Sequence, residues 1–426
     1  MHNSVITIII VAAMMVLYLT ELLPIAATSI LACLALAILG VVPITAAFSG
    51  FSSDTLYLIA GMVVVGNALF ETGVAQLMGK KIISSVGTNE RVFWIALIAV
   101  TTVISLFISN TATTAVMLPV ATSAIIASDG KLKAKNTYMM LGIATVVTGG
   151  LTLVGSTPQL IAQSYLQQGG YETMRFFEVS KVGLPIFFLM IAYFMTIGRN
   201  LQNRVFRFNE IETPHASIEE AHQPSLSAKS IIRMCLSVLI LVFCIVGFVI
   251  GFWSMGTVAM IGAILCIATG CISQKRVFEK MDWTTVIIMG CSFSLSTALD
   301  TSGAGRLIAQ GVVNLLGHDV TPMILCAALS LVAVLLTNFM SSTATAALLV
   351  PISAMVAIEL GYNVKSIVLV TAIAVNLGFT TPISTPPMTM TLSAGYRFMD
   401  YVKVGGLLNA MSYALIVMLF PIMFKF

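Results

Sequence analysis

The chain has 426 residues, 58% of them hydrophobic and only 9% charged, with a formal net charge of +4 and a mean hydropathy of +1.02. A soluble domain carries about 25% charged residues, so a chain of this composition cannot cover a water-facing surface. The deficit runs along the whole length, which excludes a soluble domain with a single anchor and leaves an all-α polytopic membrane protein.

The first apolar run, 4–20, has no basic segment before it and no small-residue cleavage site after it, and reads as a retained span. Further runs of spanning length follow at 24–43, 55–78, 137–155, 180–198, 230–251, 255–272, 283–299, 365–383 and 402–424. Two stretches, 92–127 and 321–360, are too long for one span, and a Ser/Thr cluster breaks each in the middle. Their arms of about 16–18 residues reach about 24–27 Å, against a hydrocarbon core of roughly 30 Å. Two re-entrant hairpins, each entering and leaving on one side, are therefore expected. The interval 199–229 is long and polar and reads as a cytoplasmic linker, with His215 and His222 as solvated loop residues. The seven cysteines all fall in apolar segments with no CxxC pair, so buried free thiols are expected.

Placing the first loop in the cytoplasm puts 16 of the 21 basic residues inside, as the positive-inside rule requires. Both termini then lie outside. The basic residues sit in short loops, so the small positive balance implies no nucleic-acid partner.

An internal repeat organises the chain. "FISNTATTAVMLP" (107–119) aligns with "FMSSTATAALLVP" (339–351) at seven of thirteen positions, and "VTGGLTLVGSTP" (147–158) with "VNLGFTTPISTP" (375–386) at six of twelve. "ALFETG" (68–73) pairs more weakly with "ALDTSG" (298–303). The unit is five spans plus one hairpin, 1–198 and 230–426, and an odd number of spans forces the copies into opposite orientations. Interrupted helices in inverted repeats are the architecture of secondary transporters.

At each tip the chain must turn inside the membrane, which is tolerated only where the backbone is buried in protein or lines a cavity. Ser, Asn and Thr suit this position because they cap helix starts, so Ser109–Asn110–Thr111 and Ser341–Ser342–Thr343 should open the second arms. Gly149, Gly150, Gly155 and Pro158 should break the helix over 137–168 around Gly155–Thr157, with Pro158 in the first turn of the restart. Pro382, Pro386 and Pro387 should break 365–395 likewise. Four helix N-termini would then converge, each with free N–H donors and a partial positive charge suited to an anion. The neutral oxygens beside them suit Na+, and no Lys or Arg lies at either tip or either break. Small-residue helix packing is the plainer role of membrane Ser and Thr, and is the one assigned to Ser105, Thr145 and Thr148. Glu71 and Asp300 fall one position apart in the aligned repeats, at span ends, as capping or gating groups. No acidic residue sits at a tip, and no HExxH, GxSxG or nucleotide-binding glycine motif suggests an enzyme.

The motifs "SNTATT", "SSTATA", "GGLTLVGSTPQ" and "TTPISTPPM" resemble the divalent anion:sodium symporter family, across essentially the whole chain. The resemblance implies an elevator-type homodimer in the plasma membrane, most simply a bacterial inner membrane, taking up dicarboxylates, citrate or sulfate with Na+. By position it implies substrate contacts from Asn110, Thr111, Ser342, Thr343, Thr157, Pro158, Thr385 and Pro386. It implies sodium ligands from Ser109, Asn110, Gly155, Ser156, Ser341, Ser342 and Ser384. The chain departs from the pattern at Ser342, where a second asparagine is usual, and at Gln159 and Met388, where the breaks usually continue T-P-P-N. It also begins one helix later than familiar members. These departures favour a smaller or differently shaped anion. A C4-dicarboxylate is the first expectation and sulfate the second, with a proton-coupled or exchange carrier, or a channel or scaffold, as the alternatives.

Overall fold

The computed structural model describes residues 2–20, 22–74, 77, 89–128, 131–206, 228–316 and 320–425. Glu21, Lys80, Lys81, Arg207, His215 and His222, and most of the expected linker, lie outside these. Among the described residues there are helices and no strands. The first half runs α1 (His2–Thr20), α2 (Ile25–Ile38), a short α3 (Ile44–Ala47), α4 (Asp54–Glu71), α5 (Glu90–Ser105), α6 (Asn110–Ala127), α7 (Ala134–Gly149), α8 (Thr157–Gln168), α9 (Ser180–Tyr193) and α10 (Arg199–Val205). The second half runs α11 (Ala228–Ile250), α12 (Met255–Ala268), α13 (Gln274–Lys280), α14 (Trp283–Thr301), α15 (Ala304–Leu316), α16 (Pro322–Phe339), α17 (Ser342–Leu360), α18 (Val364–Val375), α19 (Pro386–Met390) and α20 (Phe398–Met423).

The helix starts are written in the sequence. Ser53, Asn89, Ser254, Asp282, Thr321 and Asn363 each accept a backbone N–H in the first turn of the helix they precede, satisfying a donor that has no intrahelical partner. Several spans are shorter than their apolar runs. The run 24–43 stops being helical after Ile38 and turns at Gly40 (φ +70°), a backbone conformation that glycine adopts without strain. Among the described residues six helices are long and apolar enough to cross a membrane, and both arms of the second hairpin, α16 and α17, are among them. Arm length is therefore no argument for re-entry in that hairpin.

Packing joins the two halves. α4 lies along α12, and α2 along α14. The α4–α12 pair runs parallel, with both N-termini at one end. The Asp54 carboxylate at the start of α4 accepts from the Ser254 hydroxyl at 2.5 Å and the Gly256 N–H at 3.1 Å at the start of α12. Further along, a Cβ on Gly61 would sit 2.5 Å from the Ala259 carbonyl carbon, so the bare backbone permits the close approach that holds helices together in lipid. In the other layer α5 and α6 pack on α7, while α16 and α17 pack on α18. α8 packs on α17 and α18 from the other half, and α19 on α6 and α7.

Six cysteines are buried and unpaired. Cys235 departs from expectation: it is exposed, because α11 is packed on one side only and turns the rest of its apolar surface outward. Glu71 forms an ion pair with Arg276 at 3.8 Å, a charged contact at a span end.

Candidate functional site

Both tips are helix starts. Ser109 is extended (φ −56°, ψ 144°) and its hydroxyl accepts from the Ala112 N–H at 3.4 Å. Ser341 repeats this (φ −62°, ψ 145°), accepting from the Ala344 N–H at 3.2 Å. The second arms thus open on the two serines expected to cap them.

Asn110 turns inward from the first tip. With the amide turned so that its nitrogen faces the surrounding acceptors, that nitrogen donates to the Thr145 carbonyl at 3.0 Å and the Gly155 carbonyl at 3.1 Å, and lies 3.1 Å from the Ser105 hydroxyl. Ser105 itself donates to the Thr145 carbonyl at 3.1 Å. The approach depends on two glycines. A Cβ on Gly149 would lie 1.8 Å from the head of Asn110, and one on Gly155 would lie 2.5 Å from the Gly149 carbonyl oxygen. No side chain fits at either position, so only this sequence lets the tip, the end of α7 and the start of α8 meet.

The helix breaks earlier than expected. α7 ends at Gly149 and α8 starts at Thr157, with Pro158 in its first turn. Thr152 ties the intervening loop back to the tip, donating to the Leu106 carbonyl and accepting from the Gly155 N–H at 3.2 Å. Gln159 is fully buried and reaches back across the break, its Nε2 donating to the Gly150 carbonyl at 3.0 Å.

The second tip meets its own break differently. Thr337 donates to the Val375 carbonyl at 2.8 Å. The Asn338 amide donates to the Leu377 carbonyl at 3.3 Å and accepts from the Thr380 N–H at 2.8 Å. Ser342 N–H donates to the Ser384 carbonyl at 3.2 Å, and the Ser384 hydroxyl to the Thr381 carbonyl at 2.9 Å. Asn409 on α20 donates to the Leu377 carbonyl at 2.6 Å. No asparagine projects from this tip, but amides from Asn338 and Asn409 order the break from behind.

Of the residues singled out in the sequence, Ser109, Thr111 and Pro386 are exposed, and Asn110, Thr157, Ser341, Ser342 and Thr343 are half-buried. Gly155, Ser156, Pro158, Ser384 and Thr385 are buried behind them. Neither Ser156 nor Thr385 caps the helix that follows it, which leaves the first-turn N–H groups of α8 and α19 without side-chain acceptors. Met388 is not at the surface of the site. It is fully buried and packs against α7, where a Cβ on Gly142 would lie 3.3 Å from its Sδ.

Ser105 and Thr337 were assigned no site role, yet each carries the hydroxyl that binds tip to break. They sit at equivalent repeat positions, four residues before Ser109 and Ser341, and the alignment extended backwards would have shown both. Asn338, Asn376 and Asn409 have no such signal.

The charged groups lie elsewhere. Lys365, at the start of α18, is nearly buried and bonds to Glu178 and Glu172, each at 2.8 Å. The hydrogen bond from Lys365 holds the Glu172 carboxyl below its ordinary value of 4.5. Among the described residues no group of three His, Cys, Asp or Glu side chains forms a transition-metal cluster. The oxygens at the tips and breaks are neutral and hard, a donor set that fits Na+.

Known proteins resemble the chain over most of its length. The family model described as CitMHS, citrate transporter, matches residues 15–374. An uncharacterized transporter of Haemophilus influenzae is 31% identical over 411 residues, covering 92% of this chain and 86% of that protein. The sodium-dependent high-affinity dicarboxylate transporter 3 of Caenorhabditis elegans is 25% identical, covering 92% and 78%. The sodium-dependent dicarboxylate transporter SdcS of Staphylococcus saprophyticus is 23% identical, covering 94% and 82%. The solved structure of Neisseria gonorrhoeae MtrF, presented as one of a class of antimetabolite efflux pumps, superposes with a TM-score of 0.60 at 12% identity over 98% of this chain and 94% of that one, a likeness of fold alone. The sodium-dependent dicarboxylate transporters among these relatives agree with the kinship to divalent anion:sodium symporters expected from the tip motifs. The chain belongs to the CitMHS citrate transporter family and is a multi-pass membrane transporter, not an enzyme.

Proposed function

We propose that this transporter couples sodium entry to the uptake of a divalent anion, a C4-dicarboxylate or related carboxylate first and sulfate second. One observation carries the reading. Asn110 threads between Gly149 and Gly155 onto two backbone carbonyls and the Ser105 hydroxyl, directly behind the Ser109 cap. That arrangement concentrates hard, uncharged oxygens suited to Na+ beside helix N-termini suited to an anion. Ser105, Ser109, Asn110, Gly155 and Ser156 hold one sodium. Thr337, Ser341, Ser342 and Ser384 hold a second. Asn110, Thr111, Ser342, Thr343, Thr157, Pro158, Thr385 and Pro386 face the anion. With no fixed cation at the tips or breaks, the anion's affinity depends on sodium, which is what obligatory coupling needs.

The two halves, 1–198 and 230–426, act as inverted repeats joined by the linker 199–229. The parallel course of α4 and α12 supports this, because the third span of one repeat and the second span of the other run parallel only if the repeats are inverted. The hairpins 92–127 and 321–360 are re-entrant. Their tips bond to helix breaks in 137–168 and 365–395 rather than lying past the ends of those helices. Transport proceeds by alternating access of an elevator in a homodimer of the bacterial inner membrane, with both termini outside.

Purified protein in proteoliposomes, given labelled succinate, malate, citrate and sulfate, should accumulate at least one dicarboxylate only under an inward Na+ gradient. Uptake indifferent to Na+ but collapsed by a protonophore would replace symport with proton coupling. Absence of gradient-driven uptake for every anion would sink the proposal.

A further inference from the structure

Asn376 joins the helix end of the second half to the break of the first. It is 7% exposed, and its Oδ1 accepts from the Ser156 hydroxyl, one residue before α8. Its Nδ2 has no partner, so the bond to Ser156 is the one side-chain hydrogen bond that Asn376 makes among the described residues. A leucine would fill much the same space without burying an idle donor, so packing alone gives no reason for an amide here. The aligned repeats set Thr148 opposite Asn376 and Ser384 opposite Ser156. Neither of these crosses between the halves. Thr148 donates to the Ala144 carbonyl of its own helix at 2.7 Å, and Ser384 to the Thr381 carbonyl of its own break at 2.9 Å. The link at Asn376 therefore has no mirror image in the other repeat.

The backbone on either side of Asn376 is held by the second tip and its support. The Val375 carbonyl accepts from the Thr337 hydroxyl at 2.8 Å, and the Leu377 carbonyl from Asn338 at 3.3 Å and Asn409 at 2.6 Å. Thr337 belongs to the second of the two sodium sites proposed above and Ser156 to the first. A shift of Thr337 onto an ion moves the Val375 carbonyl, and with it the next residue, whose amide holds Ser156. We propose that Asn376 is a positioning residue that couples the two sodium sites, setting Ser156 for the first ion according to whether the second is bound. Asn376 touches neither ion and acts through Ser156. The proposal rests on the sodium-coupled reading above. Coupling carried by a contiguous chain of contacts of this kind changes an affinity about 5- to 150-fold.

The test is equilibrium binding of radioactive 22Na+ to the purified full-length protein, with thermal stability checked for each variant. The wild type should bind two ions cooperatively. Asn376→Leu should still bind two, with the Hill coefficient falling toward one and the half-saturating Na+ concentration rising at least about fivefold. Asn376→Ser, too short to reach Ser156 and tolerant of burial, should do the same and carries the test if the leucine variant fails to fold. Asn376→Asp, which keeps the acceptor, should keep the cooperativity, a rescue that a purely structural role does not predict. In a Ser156→Ala background, Asn376→Leu should change the binding no further. Cooperative binding that survives both Asn376→Leu and Asn376→Ser overturns the proposal. So does the loss of one bound ion on either substitution, which would make Asn376 a ligand, and so does an equal effect with and without Ser156. If the wild type binds two ions independently, the proposal falls while the sodium-coupled reading stands. If it binds no Na+ at all, both fall.

Discussion

Asn110 ties the first tip to its break and is proposed to bind sodium with the same side chain, and its neighbours determine how little can change. Replacing it with alanine removes the side-chain donor to the Gly155 carbonyl and one of the donors to the Thr145 carbonyl, a cost of about 1–3 kcal/mol. Because that cost falls on the proposed sodium site, Asn110→Ala should raise the half-saturating Na+ concentration in uptake assays at least tenfold. Unchanged Na+ dependence would remove Asn110 from the site. Gly149→Ala tests the same packing from the other side. Its methyl would fall 1.8 Å from the Asn110 head, so it should abolish uptake while the protein still reaches the membrane. Ser109→Ala should be milder, losing one cap worth about 1 kcal/mol. At this scale the sequence was readable where a residue's role is local. Ser109 and Ser341 are caps because a hydroxyl before a helix has one obvious backbone partner. Ser105 and Thr337 were not read as site residues, because their partners lie about forty residues away on another helix. Met388 was read as a substitution in the site, whereas tertiary packing puts it in the core against Gly142.

Among the elements, the α4–α12 pair and the start of α18 lend themselves to test. Gly61→Leu would drive a side chain into the Ala259 backbone, and overpacking of this kind costs about 1–3 kcal/mol. The melting temperature in detergent should fall measurably, and an unchanged one would mean that the pair can separate without loss. Lys365 and Glu178 are both nearly excluded from solvent. Removing one partner of a buried ion pair strands the other, at a cost of about 3–5 kcal/mol. Lys365→Ala should therefore be among the most destabilising changes in the protein, and more harmful than Glu172→Gln, because Glu172 is largely exposed. The Glu172 contribution has a defined pH sense. Its carboxyl is depressed by Lys365, so its stabilisation is present above the ordinary value of 4.5 and is lost as pH falls through the lower folded value. The difference in melting temperature between wild type and Glu172→Gln should vanish on acidification.

For the molecule as a whole, the proposed topology makes a prediction about sidedness. Lys425→Cys, in intact cells, should react with a membrane-impermeant maleimide applied from outside, and a cysteine placed in the 199–229 linker should react only after permeabilisation. The reverse pattern would invert the orientation while leaving the repeats intact. The exposed native Cys235 must be removed first.

Composition, hydropathy and the internal repeat by themselves determined that this is a helical membrane protein and pointed to two Ser/Thr tips and two broken helices as its candidate site. These features are local in the chain: a cap lies within three residues of the N–H it receives, and a proline breaks the helix that contains it. Only the tertiary structure decided which tip meets which break, that amides from Asn338 and Asn409 support the second break where its tip has no asparagine, and that Gln159 reaches back to the end of α7 while Asn376 meets Ser156 before α8. Those contacts join segments far apart in sequence. They depend on how closely backbones approach at Gly149 and Gly155, a distance set by helix packing in three dimensions and not by any neighbouring residue.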